Sequence, residues 1–166
     1  MPRKTNTKTP AGSRPYMPGY GLPKSKKGLL PWSWAEERLE KSRQYWISTT
    51  RPDGAPHTMV IWGLWIDGAF YFSTGTTSRK AKNLAANPRC VICNDNAAEA
   101  VIVEGRAELR NLASDQGFAK RFGQLYKQKY KWDMNVSSEP VYAVTPQVAF
   151  GMYEKKFATS ATKWEF

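Results

Sequence analysis

The chain has a single histidine, His57, and only two cysteines, Cys90 and Cys93, in 166 residues. That scarcity excludes most metal centres, because a structural zinc site draws four ligands from Cys, His and carboxylates. The Cys-x-x-Cys spacing has no second pair to complete it. It also lies in "RCVICNDN", which reads as a strand, so the two thiols are expected on opposite faces and free. Unpaired thiols suit a reducing cytoplasm. No Ser/His/Asp set and no paired carboxylates stand out for hydrolytic chemistry, and Asp53 and Asp67 read as turn residues. No apolar run reaches the roughly 18 residues of a membrane span, and no signal-peptide core is visible. A cytoplasmic protein with no membrane span is expected.

Acidic residues are missing altogether from positions 1–27, which carry seven Lys and Arg. The formal charge of +11 is therefore mostly local, since the rest of the chain holds 18 basic against 14 acidic side chains. Residues 1–30 read as a basic, Pro/Gly-rich flexible arm, and residues 31–166 as one domain with a single core. Such an arm can attract nucleic acid, an anionic surface or an acidic ligand. No helix-turn-helix or RNA-recognition pattern accompanies it, so no nucleic-acid partner is expected. Its "PYMPGYGLP" interleaves aromatics and prolines and would also suit a lid.

What is present is β-rich. "SWAEERLEKSRQY" reads as a helix from Ser33 to Tyr45, with Ser33 as N-cap and Glu36 as capping-box partner. Strands follow at about 45–51, 57–66 and 69–74, separated by the "RPDG" turn and by a hairpin at Asp67-Gly68. Ser78 to Asn87 is a helix stopped by Pro88. "RCVICNDN" and "AEAVIVEGRAELR" are strands. "SDQGFAKRFGQLYKQKY" spaces Phe118, Phe122, Leu125 and Tyr126 for a helix, with Ser114 as a possible cap. "PVYAVTPQVAFGMYE" is a strand again, and the aromatic end "FATSATKWEF" is expected to dock. The absence of strand–helix–strand alternation gives an antiparallel barrel or strongly bent sheet, mainly β with flanking helices.

One stretch carries chemistry. "YFSTGTTSRKAKNL" leaves a strand, turns through small hydroxylated residues and enters a helix. The free N–H groups and dipole at a helix start make an anion site. Thr76, Thr77 and Ser78 add hydroxyls, and Arg79 and Lys80 add charge. Gly75 would permit a sharp turn or a close ligand approach. The pattern is not a Walker loop, and an ordinary capped helix with a basic solvent face explains it as well. Its neighbours "HTMVIWGLWIDG" and "AFYF" are aromatic, and a phosphate anchor beside flat apolar walls suits a flavin-like ring with a phosphorylated tail.

The order "TTRPDGAPHTMVIWGLWIDGAFYFSTGTTSRKAKNLAANPRCVIC", then "VIVEGRAEL" and "KWEF", resembles the pyridoxamine 5′-phosphate oxidase-like split β-barrel superfamily. Within it the pattern is nearest the flavin/deazaflavin oxidoreductases that use coenzyme F-420, and the resemblance covers residues 34–166. It implies a split antiparallel, FMN-binding-like β-barrel and a homodimer with cofactor sites at the interface. It also implies hydride transfer between coenzyme F-420, or alternatively FMN, and a small electron-poor substrate such as an enone, quinone or nitroaromatic. A non-catalytic coenzyme carrier is the other reading. Carried over, the phosphate turn is Ser73, Thr74, Gly75, Ser78, Arg79 and Lys80, and the ring strand is His57, Thr58, Met59, Val60, Ile61 and Trp62. Trp164 matches a tail tryptophan near the partner's cofactor, although Glu165 stands where relatives often have Arg. Lys82, Arg89 and the arm would serve the acidic tail of coenzyme F-420. His57 is a weak proton-donor candidate and reads more simply as a strand-edge residue. Tyr126, Tyr130 and Trp132 are read either as packing or as pocket walls.

Overall fold

Each turn signal in the first half of the chain produces a strand reversal. In the computed structural model, which describes residues 9–166, Asp67 and Gly68 both take positive φ (50° and 82°) and join two paired strands, as a two-residue hairpin requires. In "RPDG", the Gly54 N–H donates to the Arg51 carbonyl and the Ala55 N–H to Asp53 Oδ1.

The elements are β1 (Gly12–Ser13), α1 (Trp32–Lys41), β2 (Tyr45–Thr50), β3 (Pro56–Ile61), β4 (Leu64–Ile66), β5 (Ala69–Ser73) and α2 (Arg79–Ala86). They continue with β6 (Arg89–Asn94), β7 (Glu99–Arg110), α3 (Gln116–Tyr130), β8 (Val141–Tyr153), α4 (Phe157–Ser160) and β9 (Thr162–Glu165). Every strand pairing is antiparallel. The sheet runs β1-β9-β8-β7-β6-β2-β3, and the β4–β5 hairpin joins it at β8. One edge of β8 therefore serves two partners: Val141–Val144 pair with β5, and Val148–Gly151 pair with β9. The sheet divides there into two leaves, giving the expected split barrel, mainly β with flanking helices.

Alternation fills the inside. Tyr45, Ile47, Phe70, Phe72, Ile92, Val101, Val103 and Trp164 are fully buried in the main core. A second cluster of Leu64, Ile66, Tyr71, Phe122, Tyr126 and Tyr130 forms where α3 covers the β4–β5 hairpin. Cys90 and Cys93 are free, one buried and one half-buried. They lie on opposite faces of β6, and burial raises both thiols, Cys90 to about 12.

Four details differ from the sequence expectations. Helix α1 begins one residue earlier, behind Pro31, with no side-chain cap. Glu36 instead accepts a long hydrogen bond from Trp65 Nε1. That helix stops at Lys41 because Tyr45 is recruited into β2, its buried hydroxyl donating to the Leu39 and Ser42 carbonyls. The strand expected over 57–66 breaks at Trp62-Gly63, with Ile61 still paired to β2 but Leu64 paired to Tyr71 of β5. Helix α3 is capped by Asp115, whose carboxylate accepts from the Phe118 N–H, while Ser114 lies in the preceding 3₁₀ turn.

The basic arm is structured in its described part. Gly12 and Ser13 pair with Trp164 and Lys163 of β9. The Arg14 guanidinium donates to the carbonyls of Ser25, Lys27, Thr159 and Ala161. Residues 1–8 of the arm lie outside the described residues. The aromatic C-terminus docks as expected, with β9 paired to β8 and Trp164 edge-on to Trp32 at 5.3 Å.

Candidate functional site

Strand β3 ends the sheet: among the described residues it pairs with β2 alone. An edge strand presents a row of free N–H and C=O groups. Its side chains add exposed apolar surface, with Met59 47%, Val60 42% and the following Trp62 37% exposed. At Gly63 the backbone leaves β2 and crosses to β5. A Cβ there would sit 2.2 Å from Phe70 Cζ and 2.7 Å from the Tyr71 carbonyl oxygen, so only glycine fits this crossing. The break opens a cavity of about 310 Å³ lined by Val60, Ile61, Trp62, Ser73, Lys80 and Tyr126.

The opposite wall comes from the β5–α2 turn. Ser78 caps α2, its Oγ accepting from the Ala81 N–H at 3.2 Å and lying 3.0 Å from Thr74 Oγ1. Ser73 Oγ donates to the Pro140 carbonyl at 2.7 Å. These hydroxyls build the turn, while the first N–H groups of α2 remain open for an anion. Gly75 does not adopt positive φ, and its Cβ position faces open space. Its value is therefore access rather than backbone freedom. Lys80 is half-buried and makes no ion pair among the described residues. Desolvation pulls its ammonium below the usual lysine range. A buried cation without a carboxylate is stabilised by an incoming anion.

The cavity thus unites Val60, Ile61, Trp62, Ser73 and Lys80 from the two expected motifs. Thr74, Gly75 and Ser78 shape the turn beside it, and Arg79 and Lys82 are exposed on α2. Thr58 pairs its hydroxyl with Ser48 at 2.9 Å on the outer face of the sheet. His57 is half-buried at the far end of β3, its buried Nδ1 without a hydrogen-bond partner. Trp164 is 0% exposed and packs as core, with no ring face open to a ligand. Trp132 is 58% exposed, just past the end of α3.

Tyr126 is the lining residue that sequence reasoning underweighted. It shares the four-residue spacing of Phe122 and Tyr130 that marks a core face, and it serves both purposes, being 6% exposed yet reaching the cavity. Burial, and next the Glu139 charge, raise its phenol to about 12, so it stays protonated as a donor at neutral pH. Tyr130, one turn on, lies behind the cavity. It stacks on Trp62 with ring centroids 4.6 Å apart and planes 6° from parallel. Its hydroxyl bridges the Gly63 N–H and C=O, both at 2.8 Å.

Comparison with known proteins agrees with this architecture. A family model described as pyridoxamine 5′-phosphate oxidase matches residues 34–152. No curated protein sequence matches the chain. Among solved structures, an F-420 reductase is 23% identical, over 69% of this chain and 94% of that one, with a TM-score of 0.55. A conserved hypothetical protein from Mycobacterium tuberculosis is 21% identical over 76% and 87% of the two chains, with a TM-score of 0.64. An FAD-binding protein from Mesorhizobium loti is 14% identical over 82% and 96%, with a TM-score of 0.60. At these identities the structural likenesses speak for the fold. With the family match across most of the domain and the divided antiparallel sheet, the chain belongs to the pyridoxamine 5′-phosphate oxidase-like split β-barrel superfamily.

Proposed function

We propose that this protein is a cytoplasmic oxidoreductase that transfers a hydride between a bound deazaflavin, coenzyme F-420, and a small electron-poor organic molecule. The observation that carries the reading is a cavity in which Trp62, just past the edge strand, and Lys80 on α2 line one space. A phosphorylated, flat coenzyme needs those two ends. When bound and reduced, such a coenzyme supplies the hydride. The chain's own residues bind and orient: Lys80 and the α2 N–H groups hold the phosphate, Trp62 and Val60 flank the ring, and β3's free edge offers hydrogen bonds along it. Exposed Lys82 and Arg89 suit the acidic tail of coenzyme F-420, which FMN lacks, and this favours the deazaflavin over FMN.

The cavity, at about 310 Å³, is near the lower end for ligand sites, roughly 300–1,000 Å³. A second copy of the chain would enlarge it. Support for self-association comes from the outer sheet face, where Val60, Trp46, Cys93, Ile102 and Phe150 fall in register across five strands. Trp46 is 47% exposed, and a contiguous apolar stripe of this kind marks an interface. The reading is therefore a homodimer with its sites at the interface.

Titration of the full-length protein with coenzyme F-420 and with FMN, followed by tryptophan quenching, tests the cofactor. Micromolar binding of the first and none of the second is expected; FMN binding alone transfers the reading to a flavin enzyme. Turnover of an enone, quinone or nitroaromatic by the loaded protein separates an enzyme from a carrier, which would bind the coenzyme without turnover.

A further inference from the structure

The Gly63 peptide is buried at a strand break, so its N–H and C=O have left the β2 ladder and must find other partners. Both are taken by one group, the Tyr130 hydroxyl, at 2.8 Å each. The Gly63 carbonyl receives a second bond from Lys129 Nζ at 3.2 Å. That ammonium also donates to the Glu40 carbonyl at 3.1 Å and to the Tyr45 hydroxyl at 2.7 Å, so all three of its N–H donors are engaged. Tyr130 is 4% exposed and does not line the cavity, yet its ring lies flat against Trp62, which does.

We infer that Tyr130, braced by Lys129, is the positioning residue of the coenzyme cavity, fixing the angle of the Trp62 wall through the Gly63 peptide and the ring stack without touching the ligand. The assignment of the ligand rests on the function proposed above, but the clamp itself does not. Lys129 is the feature that separates positioning from simple packing, because its third N–H exists only while the amine is protonated. Burial lowers it to about 8. The charged groups facing it are Asp95 on the β6–β7 turn and Glu40 on α1, which favour the proton, and Arg43 before β2, which opposes it. The phenols of Tyr45 and Tyr130 stay neutral, both raised by burial. The Asp67–Arg121 ion pair stands in the same groove.

The test follows the Trp62 indole N–H resonance in ligand-free, full-length protein, assigned with Trp62→Phe. In the wild type this resonance is expected to shift as pH rises from 7 to 10, and in Lys129→Met to be displaced already at pH 7 and flat with pH. Tyr130→Phe keeps the stack and loses the hydroxyl. It is expected to move the Trp62 signal and weaken the coenzyme that the wild type binds by about tenfold, the scale of one hydrogen bond's contribution. A Trp62 signal indifferent to Tyr130→Phe, or a pH shift that persists in Lys129→Met, overturns the inference. If Tyr130→Phe does not fold, the pH comparison with Lys129→Met decides alone. If neither coenzyme binds wild type, the proposed function fails while the resonance still tests the clamp.

Discussion

Trp62 and Tyr130 lie 68 residues apart in the chain and stack face to face, their ring centroids 4.6 Å apart. One residue follows the edge strand and the other ends α3, so a helix on the flank sets the wall of a cavity on the sheet edge. Aromatic pairs in such contact contribute about 0.5–1.5 kcal/mol beyond area burial. Trp62→Ala should therefore cost modest stability and a larger share of ligand affinity. Thermal melting and coenzyme titration on the same sample check this; a severe melting loss with unchanged affinity would make Trp62 a core residue only.

Lys80 and Lys82 should separate by ligand. Lys80→Ala removes the half-buried cation of the cavity and should weaken coenzyme F-420 and FMN alike, by about tenfold to a hundredfold, the range of a charge-assisted contact. Lys82→Ala, on the exposed face of α2, should weaken only coenzyme F-420, and that loss should shrink in high salt. Equal effects of the two substitutions on FMN would contradict this division.

Trp46→Glu places a charge within the outer apolar stripe, where the register brings Val60 and Cys93 to either side. A wild-type dimer and a monomeric variant are expected by sedimentation velocity, with the variant's fold retained because the side chain is not part of the core. A monomeric wild type would remove the proposed interface.

The pH dependence of folding has a defined sign at Lys129. Its folded value of about 8 lies below the ordinary 10.5, so the unfolded chain binds more protons between those values and this lysine's contribution rises with pH across that window. Lys129 is only partly buried, and solvent screening trims the change to about 1 kcal/mol. Denaturant melts of wild type and Lys129→Met between pH 7 and 10.5 should show the difference growing in favour of wild type. A constant difference would mean that Lys129 titrates normally.

Arg14→Ala should loosen residues 12–30 from the C-terminal segment, since that guanidinium alone ties the Ser25 and Lys27 carbonyls of the arm to those of Thr159 and Ala161. The expected cost is about 1–3 kcal/mol, with faster amide exchange confined to the arm and the chain's C-terminal turn. Exchange rates unchanged at both segments would show that β1 pairing suffices without it.

Much of this was written locally. Ser78 is a cap because its short hydroxyl can turn back on its own helix, and Asp67-Gly68 is a hairpin because both tolerate positive φ. The hydroxyl-rich turn into α2 and the edge strand leading to Trp62 could be found for the same reason. The break at Gly63 was hidden because its cause, the Phe70 ring, comes from another strand. Composition suggested a loose arm, because nothing in "GSRPY" announces that Arg14 will meet carbonyls some 145 residues later. Tyr126 and Tyr130 were legible as a helix face, but which rim of the barrel that face would meet is set by α3 docking on the β4–β5 hairpin.

Because one edge of β8 is shared between β5 and β9, neither leaf of the barrel can close during synthesis until that strand has left the ribosome. Phe72 waits for Tyr142, and Ala149 in turn waits for Trp164. Such pairings of high sequence separation slow folding, and the β4–β5 hairpin must hold its second edge open through most of translation. The last sixth of the polypeptide, residues 141–166, thus acts as a zipper for the rest, and a chain released before residue 141 cannot join the two leaves.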